Sequence, residues 1–193
     1  SSNIFKPHGK KFSRQVLNLP ANGKILVFSA DNISSERKGM NLLIDALSLL
    51  NFPDLTLVSI GRKKIKIKPK IPYIHLGTLK DDYTISLLYS AADLSVVPSK
   101  EDNSPNTIIE SFACGCPVVA FNVGGISELV HSEKLGLLVD NFEKTNLANS
   151  IKNALKIKYC PDFISSFIKS KFSYKVISKN YLDMFKSFKN DEK

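Results

Sequence analysis

The residues able to do chemistry lie in three short stretches. Asp31-Asn-Ile-Ser-Ser-Glu-Arg37-Lys38-Gly39 is a polar run that delivers a cation and a glycine to the start of an apolar, helix-like segment. Unpaired amides at a helix N-terminus, with a lysine beside them, make a ready phosphate site. Pro98-Ser-Lys-Glu-Asp102-Asn-Ser104-Pro-Asn106-Thr107-Ile-Ile-Glu110 is denser. Pro105 suits the first turn of a helix, which leaves the amides of Asn106 and Thr107 as free donors. Glu110 then falls one turn further in, beside Ile109 and Phe112. A carboxylate in such company is costly unless it meets a crevice or hydroxyl partners, such as those of a ribose. Asp102 precedes Glu110 with seven residues between them, and the third stretch, Asn122-Val-Gly124-Gly125-Ile-Ser-Glu128, permits a tight turn or close backbone approach. Taken singly, Asp102 reads as a turn residue, Glu110 as a surface helix residue and Lys38 as a surface lysine.

These stretches need elements to position them. From Lys24 onward, short β-branched apolar runs alternate with amphipathic segments: Ile25–Ala30, Leu55–Ile60, Tyr73–Leu76, Leu94–Val97, Val118–Phe121 and Leu137–Val139. Continuous apolar runs are the mark of parallel strands buried on both faces. The segments between them, Lys38–Leu50 and Asp81–Ala92, carry apolar residues at helical spacing. The pattern predicts an α/β fold, a doubly wound Rossmann-like parallel sheet. In such a sheet ligands bind beyond the carboxyl ends of the strands, where strand order reverses, and all three polar stretches follow apolar runs. Residues 1–23 carry Pro7, Gly9, Pro20 and Gly23 and read as a lead-in with one helix at Phe12–Leu17. Residues 24–142 form the core, and residues 143–193 read as helices over Lys144–Ile157, Pro161–Lys169 and Tyr174–Phe188.

Composition narrows the function classes. At 193 residues, 43% hydrophobic and 23% charged, the chain has the composition of one folded domain. No apolar stretch is long enough for a membrane span and the opening residues lack the apolar region of a secretory leader, so a cytoplasmic protein is expected. Three cysteines, Cys114, Cys116 and Cys160, with no zinc spacing and only three scattered histidines, leave little material for a metal site. The cysteines are expected reduced and packed. The net charge of +9 is uneven: residues 62–70 and 150–193 carry +6 each, while residues 71–149, which hold the motifs, carry −6. Only Arg14, Arg37 and Arg62 are arginine, which argues for a solvated lysine surface and against a nucleic-acid footprint. The Lys63–Lys70 run is expected to guard a sheet edge.

Read together, PSKEDNSPNTIIESFACGCPVVAFNVGGISELV and the later GLLV resemble the C-terminal half of retaining GT-B glycosyltransferases, the glycosyl transferases group one family. The Lys-Gly at 38–39, the segment Leu79–Ser99 and the final helices fit the same resemblance. It implies one half of a GT-B fold that binds a UDP- or GDP-sugar without a metal or other cofactor. Lys38 then resembles the lysine that neutralises the donor diphosphate, and Asp102 the first acid, which meets the transferring sugar and is usually the longer Glu. Glu110 resembles the acid that holds the ribose hydroxyls, and Ser104, Asn106, Thr107 and Gly39 fall among the donor contacts. Family members often carry an arginine after the first strand, where this chain has Asp31 and Asn32, so Arg37 becomes the candidate substitute.

The resemblance further implies that residues 1–23 join an N-terminal acceptor domain lying outside this chain. The last helix would cross back toward that domain, and the chain alone would be inactive. The acceptor would be a glycan or lipid-linked sugar, with a lean to bacterial surface polysaccharide synthesis. The basic tail leaves two partners open, the other domain or the inner face of a membrane. Two other readings compete: a sugar-nucleotide epimerase-like GT-B domain, and a non-catalytic basic α/β binding module.

Overall fold

The structure, a computed structural model, describes residues 3–63, 65, 69–103 and 105–190. Six parallel strands, β1 (Lys24–Asn32), β2 (Leu55–Arg62), β3 (Tyr73–His75), β4 (Leu94–Val97), β5 (Val118–Phe121) and β6 (Gly136–Val139), form one sheet in the order β3-β2-β1-β4-β5-β6. The chain winds outward from β1 to β3, then returns to the other side of β1 with β4. The switch point therefore lies between β1 and β4, paired through Leu26 with Leu94 and Val27 with Ser95.

Alternation along each strand divides the core in two. Ile25, Val27, Val58, Val118 and Ala120 face α3 (Asp82–Ala91), α4 (Asn106–Ala113), α5 (Ile126–Leu129) and α7 (Pro161–Phe172), meeting Leu88, Phe112 and Ile164. Leu26, Phe28, Leu57, Leu94 and Val119 face α2 (Met40–Ser48) and α6 (Lys144–Ala154), meeting Leu43, Leu47 and Leu147. Both faces are covered, as the continuous apolar runs require. The strand expectations stand, with β4 and β5 at the expected residues and the others shifted by one or two.

The expected helix over Lys38–Leu50 is instead two elements. A 3₁₀ turn over Glu36–Lys38 ends at Gly39, whose φ of 75° starts α2 afresh at Met40. Residues 3–23 lie against the domain: Phe5 and Leu19 are buried in its core, and α1 (Lys10–Val16) packs on α3. Arg14, only 4% exposed, donates to the carbonyls of Ala91, Ala21 and Gly23 and at 2.7 Å to Asp93. Asp93 also accepts from Lys10 and the amide of Ile25, at 2.9 Å each. The last helix, α8 (Tyr174–Asn190), touches α7 and leaves Tyr174, Tyr181, Leu182 and Phe185 exposed.

Candidate functional site

Three loops meet at the switch point. The β1–α2 loop approaches the β4–α4 loop so closely that a Cβ on Gly39 would lie 1.9 Å from the Pro98 carbonyl oxygen. Glycine is required there twice over, by its positive φ and by that approach. The amide of Lys100 donates to the Arg37 carbonyl at 2.9 Å, and Arg37 Nη1 donates to the Glu101 carbonyl at 2.9 Å. From the other side Gly124 sits against the Asp102 carbonyl, where a Cβ would come within 2.2 Å, and the Gly125 amide donates to Asn103 at 3.0 Å. The Gly-Gly pair thus serves close approach of one loop to another.

Lys38 and Asp102 meet in this cluster, Nζ donating to Oδ2 at 2.7 Å, with side chains 24% and 13% exposed. Arg37 and Lys38 reach the same loop although they are adjacent in sequence, because the 3₁₀ turn lies across it. At position 31 the Asp carboxylate is held by Arg62 from the end of β2, and that guanidinium keeps it below the usual carboxylate range.

The second half of the site is α4. Pro105 stands at the N-cap, one residue ahead of the expected first turn, so Asn106 and Thr107 are the first helical residues. No acceptor among the described residues takes either amide, and no side chain caps the helix. Glu110, one turn in, lines a cavity of about 320 Å³ with Phe5, Asn106, Ile109, Phe172 and Tyr174. Its carboxylate has no hydrogen bond or ion pair with any of the described residues. Burial, helped by the charge of Asp82, pushes its carboxyl up to about 7. Asp82 is a neighbour that the sequence reading missed; the Asp81-Asp82 pair opening α3 was its only signal. The predicted residues thus fall into two groups, Arg37, Lys38, Gly39 and Asp102 at the loop cluster and Asn106, Thr107 and Glu110 on α4. No bond among the described residues joins Glu110 to Lys38 or Asp102. Ser104 and part of the Lys63–Lys70 run lie outside the described residues.

Burial pushes the Cys114 and Cys116 thiols up to about 12, so both stay protonated and serve as core. Cys160, expected packed, is exposed at the N-cap of α7 because the chain enters that helix from the surface. Among the described residues no cluster of three His, Cys, Asp or Glu could hold a metal ion, and no helix is long and apolar enough to cross a membrane.

The switch point of this open doubly wound sheet thus carries the Lys38–Asp102 pair, and the uncapped N-terminus of α4 follows on the same β4–α4 connection. Residues 23–156 match the family described as glycosyl transferases group 1, and the chain belongs to that family. Over 165 residues it is 29% identical to a D-inositol 3-phosphate glycosyltransferase of Jonesia denitrificans, an alignment covering 77% of this chain and 38% of the relative. The chain therefore spans well under half the length of that curated relative. Its fold is that of one half of two longer solved structures. Sucrose-phosphate synthase from Thermosynechococcus elongatus matches with a TM-score of 0.80 at 24% identity, over 99% of this chain and 51% of that one. Anabaena HepE, solved in complex with UDP-glucose, matches with a TM-score of 0.80 at 24% identity, over 97% and 55%.

Proposed function

We propose that this chain is the donor-binding half of a retaining glycosyltransferase that transfers a hexose from a UDP- or GDP-sugar, with residues 1–23 and α8 leading to an acceptor domain outside it. The observation that carries the reading is the Lys38–Asp102 pair joining the loops after β1 and β4, with the unpaired amides of Asn106 and Thr107 opening α4 at the end of the same β4–α4 connection. HepE, which shares the fold, holds UDP-glucose, and that supports a nucleotide-sugar as ligand here.

In this reading the amides of Asn106 and Thr107 receive the diphosphate, and Lys38 turns from Asp102 to neutralise it. The benefit grows as the departing nucleoside diphosphate gathers charge, so the lysine stabilises the transition state more than the bound donor. Asp102 meets the sugar hydroxyls and Glu110 those of the ribose, which relieves its unpaired, half-buried state. Arg37, fixed on the Glu101 carbonyl, adds positive charge beside the loop. The donor is held without a metal, and the acceptor, a glycan or lipid-linked sugar, comes from the other side of the cleft.

Calorimetric titration tests the site. Lys38→Ala and Glu110→Ala are each expected to weaken nucleoside diphosphate binding by about 1–3 kcal/mol, the scale of a lost hydrogen bond to a charged group. Unchanged affinity in both variants would remove the site assignment.

A further inference from the structure

We propose that the Lys38–Asp102 ion pair makes the site discriminate an intact nucleotide-sugar from the bare nucleoside diphosphate, so that Asp102 determines specificity against the reaction's own product. The proposal rests on the reading of Lys38 as the diphosphate cation. In the structure the lysine is engaged, its Nζ 2.7 Å from Asp102 Oδ2. The backbone on either side is held in place: Gly39 lies against Pro98, Arg37 and Lys100 bond across the loops, and Gly124 and Gly125 close on Asp102 and Asn103. The backbone that carries Asp102 is thereby held against its neighbours and has little room to follow its partner.

Any diphosphate that draws Lys38 away must therefore leave a carboxylate that is only 13% exposed, unpaired and beside a second anion. Both effects oppose binding, since a lone partly buried charge loses its compensation and like charges at close range repel. The two ligands differ in what they offer that carboxylate. A sugar at the end of the diphosphate carries hydroxyls that donate to it, whereas the terminal phosphate of a free nucleoside diphosphate presents oxygens that, when ionised, only accept. The same residue that receives the donor thus disfavours the spent nucleotide and speeds its release.

The test is calorimetric titration of the 193-residue chain, as wild type, Asp102→Asn, Asp102→Ala and Lys38→Gln, with UDP, UDP-glucose, GDP and GDP-mannose. Circular dichroism melts identify which variants are folded. For the base that binds, a folded Asp102 variant is expected to take the bare diphosphate about threefold to fivefold more tightly than wild type, the scale of a partly exposed ion pair. The advantage of the nucleotide-sugar over the diphosphate should shrink in step. Unchanged or weaker diphosphate binding in the folded Asp102 variants overturns the proposal while leaving the donor site standing. Undiminished binding by Lys38→Gln, or no binding of any probe by wild type, overturns the functional reading and this inference with it.

Discussion

Glu110 is the side chain whose protonation ties the fold most directly to the proposed ligand. Its carboxyl is raised to about 7 chiefly by burial, with Asp82 adding repulsion. An acid raised in the folded state favours its neutral form there, so the fold loses stability as pH climbs from the ordinary carboxylate value through 7 and levels off above it. Glu110→Gln, which is neutral at every pH, is therefore expected to melt higher than wild type at pH 8 and alike at about pH 4, read by thermal denaturation. Binding reverses the preference, because ribose hydroxyls donate to the ionised form. Relative to Glu110→Gln, wild-type affinity for a nucleoside diphosphate should rise between pH 6 and 8, by at most about tenfold per unit below 7. A constant ratio between the two proteins would mean that Glu110 does not touch the ligand.

At the scale of elements, two devices hold the crevice and the lead-in together. The loops after β1, β4 and β5 are locked by backbone contacts that glycine alone allows at positions 39 and 124. At the opposite end of the strands, the Arg14–Asp93 pair ties α1 to the α3–β4 corner and the start of β1. Arg14→Met keeps the stem but removes the buried guanidinium that serves Asp93 and the carbonyls of Ala91, Ala21 and Gly23; since Asp93 retains Lys10 and the Ile25 amide, unfolding stability is expected to fall by about 1–3 kcal/mol, measured by urea denaturation. Burial by itself would raise the Asp93 carboxyl, but the Lys10 hydrogen bond, the Ile25 amide and the nearby lysines outweigh it and hold it below the ordinary value. Its contribution is present above pH ~4 and lost as pH falls through the folded value. Asp93→Asn should accordingly show a shallower acid transition than wild type.

For the whole molecule, two apolar layers on one twice-covered sheet account for the stability, and α8 stands apart from both. Tyr174 is 74% exposed and Phe185 60%, and the described side chains from Ile177 to Lys186 are all exposed. A helix that buries so little adds little to the cooperative unfolding of the domain. Deleting residues 178–193 is expected to shift Tm by less than about 3 °C, a change on the order of 1 kcal/mol or below for a chain of this size. A fall of 10 °C would show that α8 belongs to the core unit. An aromatic face left open fits the proposal that α8 leads to another domain.

The sequence by itself determined the strands, because a parallel strand covered on both faces must be an apolar run whatever surrounds it. Leu94–Val97 and Val118–Phe121 could be read to the residue, and the three polar stretches could be placed beyond strand ends. It also carried the family motifs, whose order along the chain is visible without a fold. Only the tertiary structure decided what those residues meet. Lys38 and Asp102 are 64 residues apart, and Arg14 and Asp93 are 79 apart, so no local pattern links either pair. The break at Gly39 also depended on tertiary contact, since helical periodicity continues through it and only the approach of Pro98 shows why it is there. Glu110 looked like a residue waiting for a partner, but its burial and its raised carboxyl come from α7, Phe5 and Asp82, which the chain brings to α4 only by folding. Local periodicity is set by neighbours in sequence, whereas pairing and desolvation are set by neighbours in space.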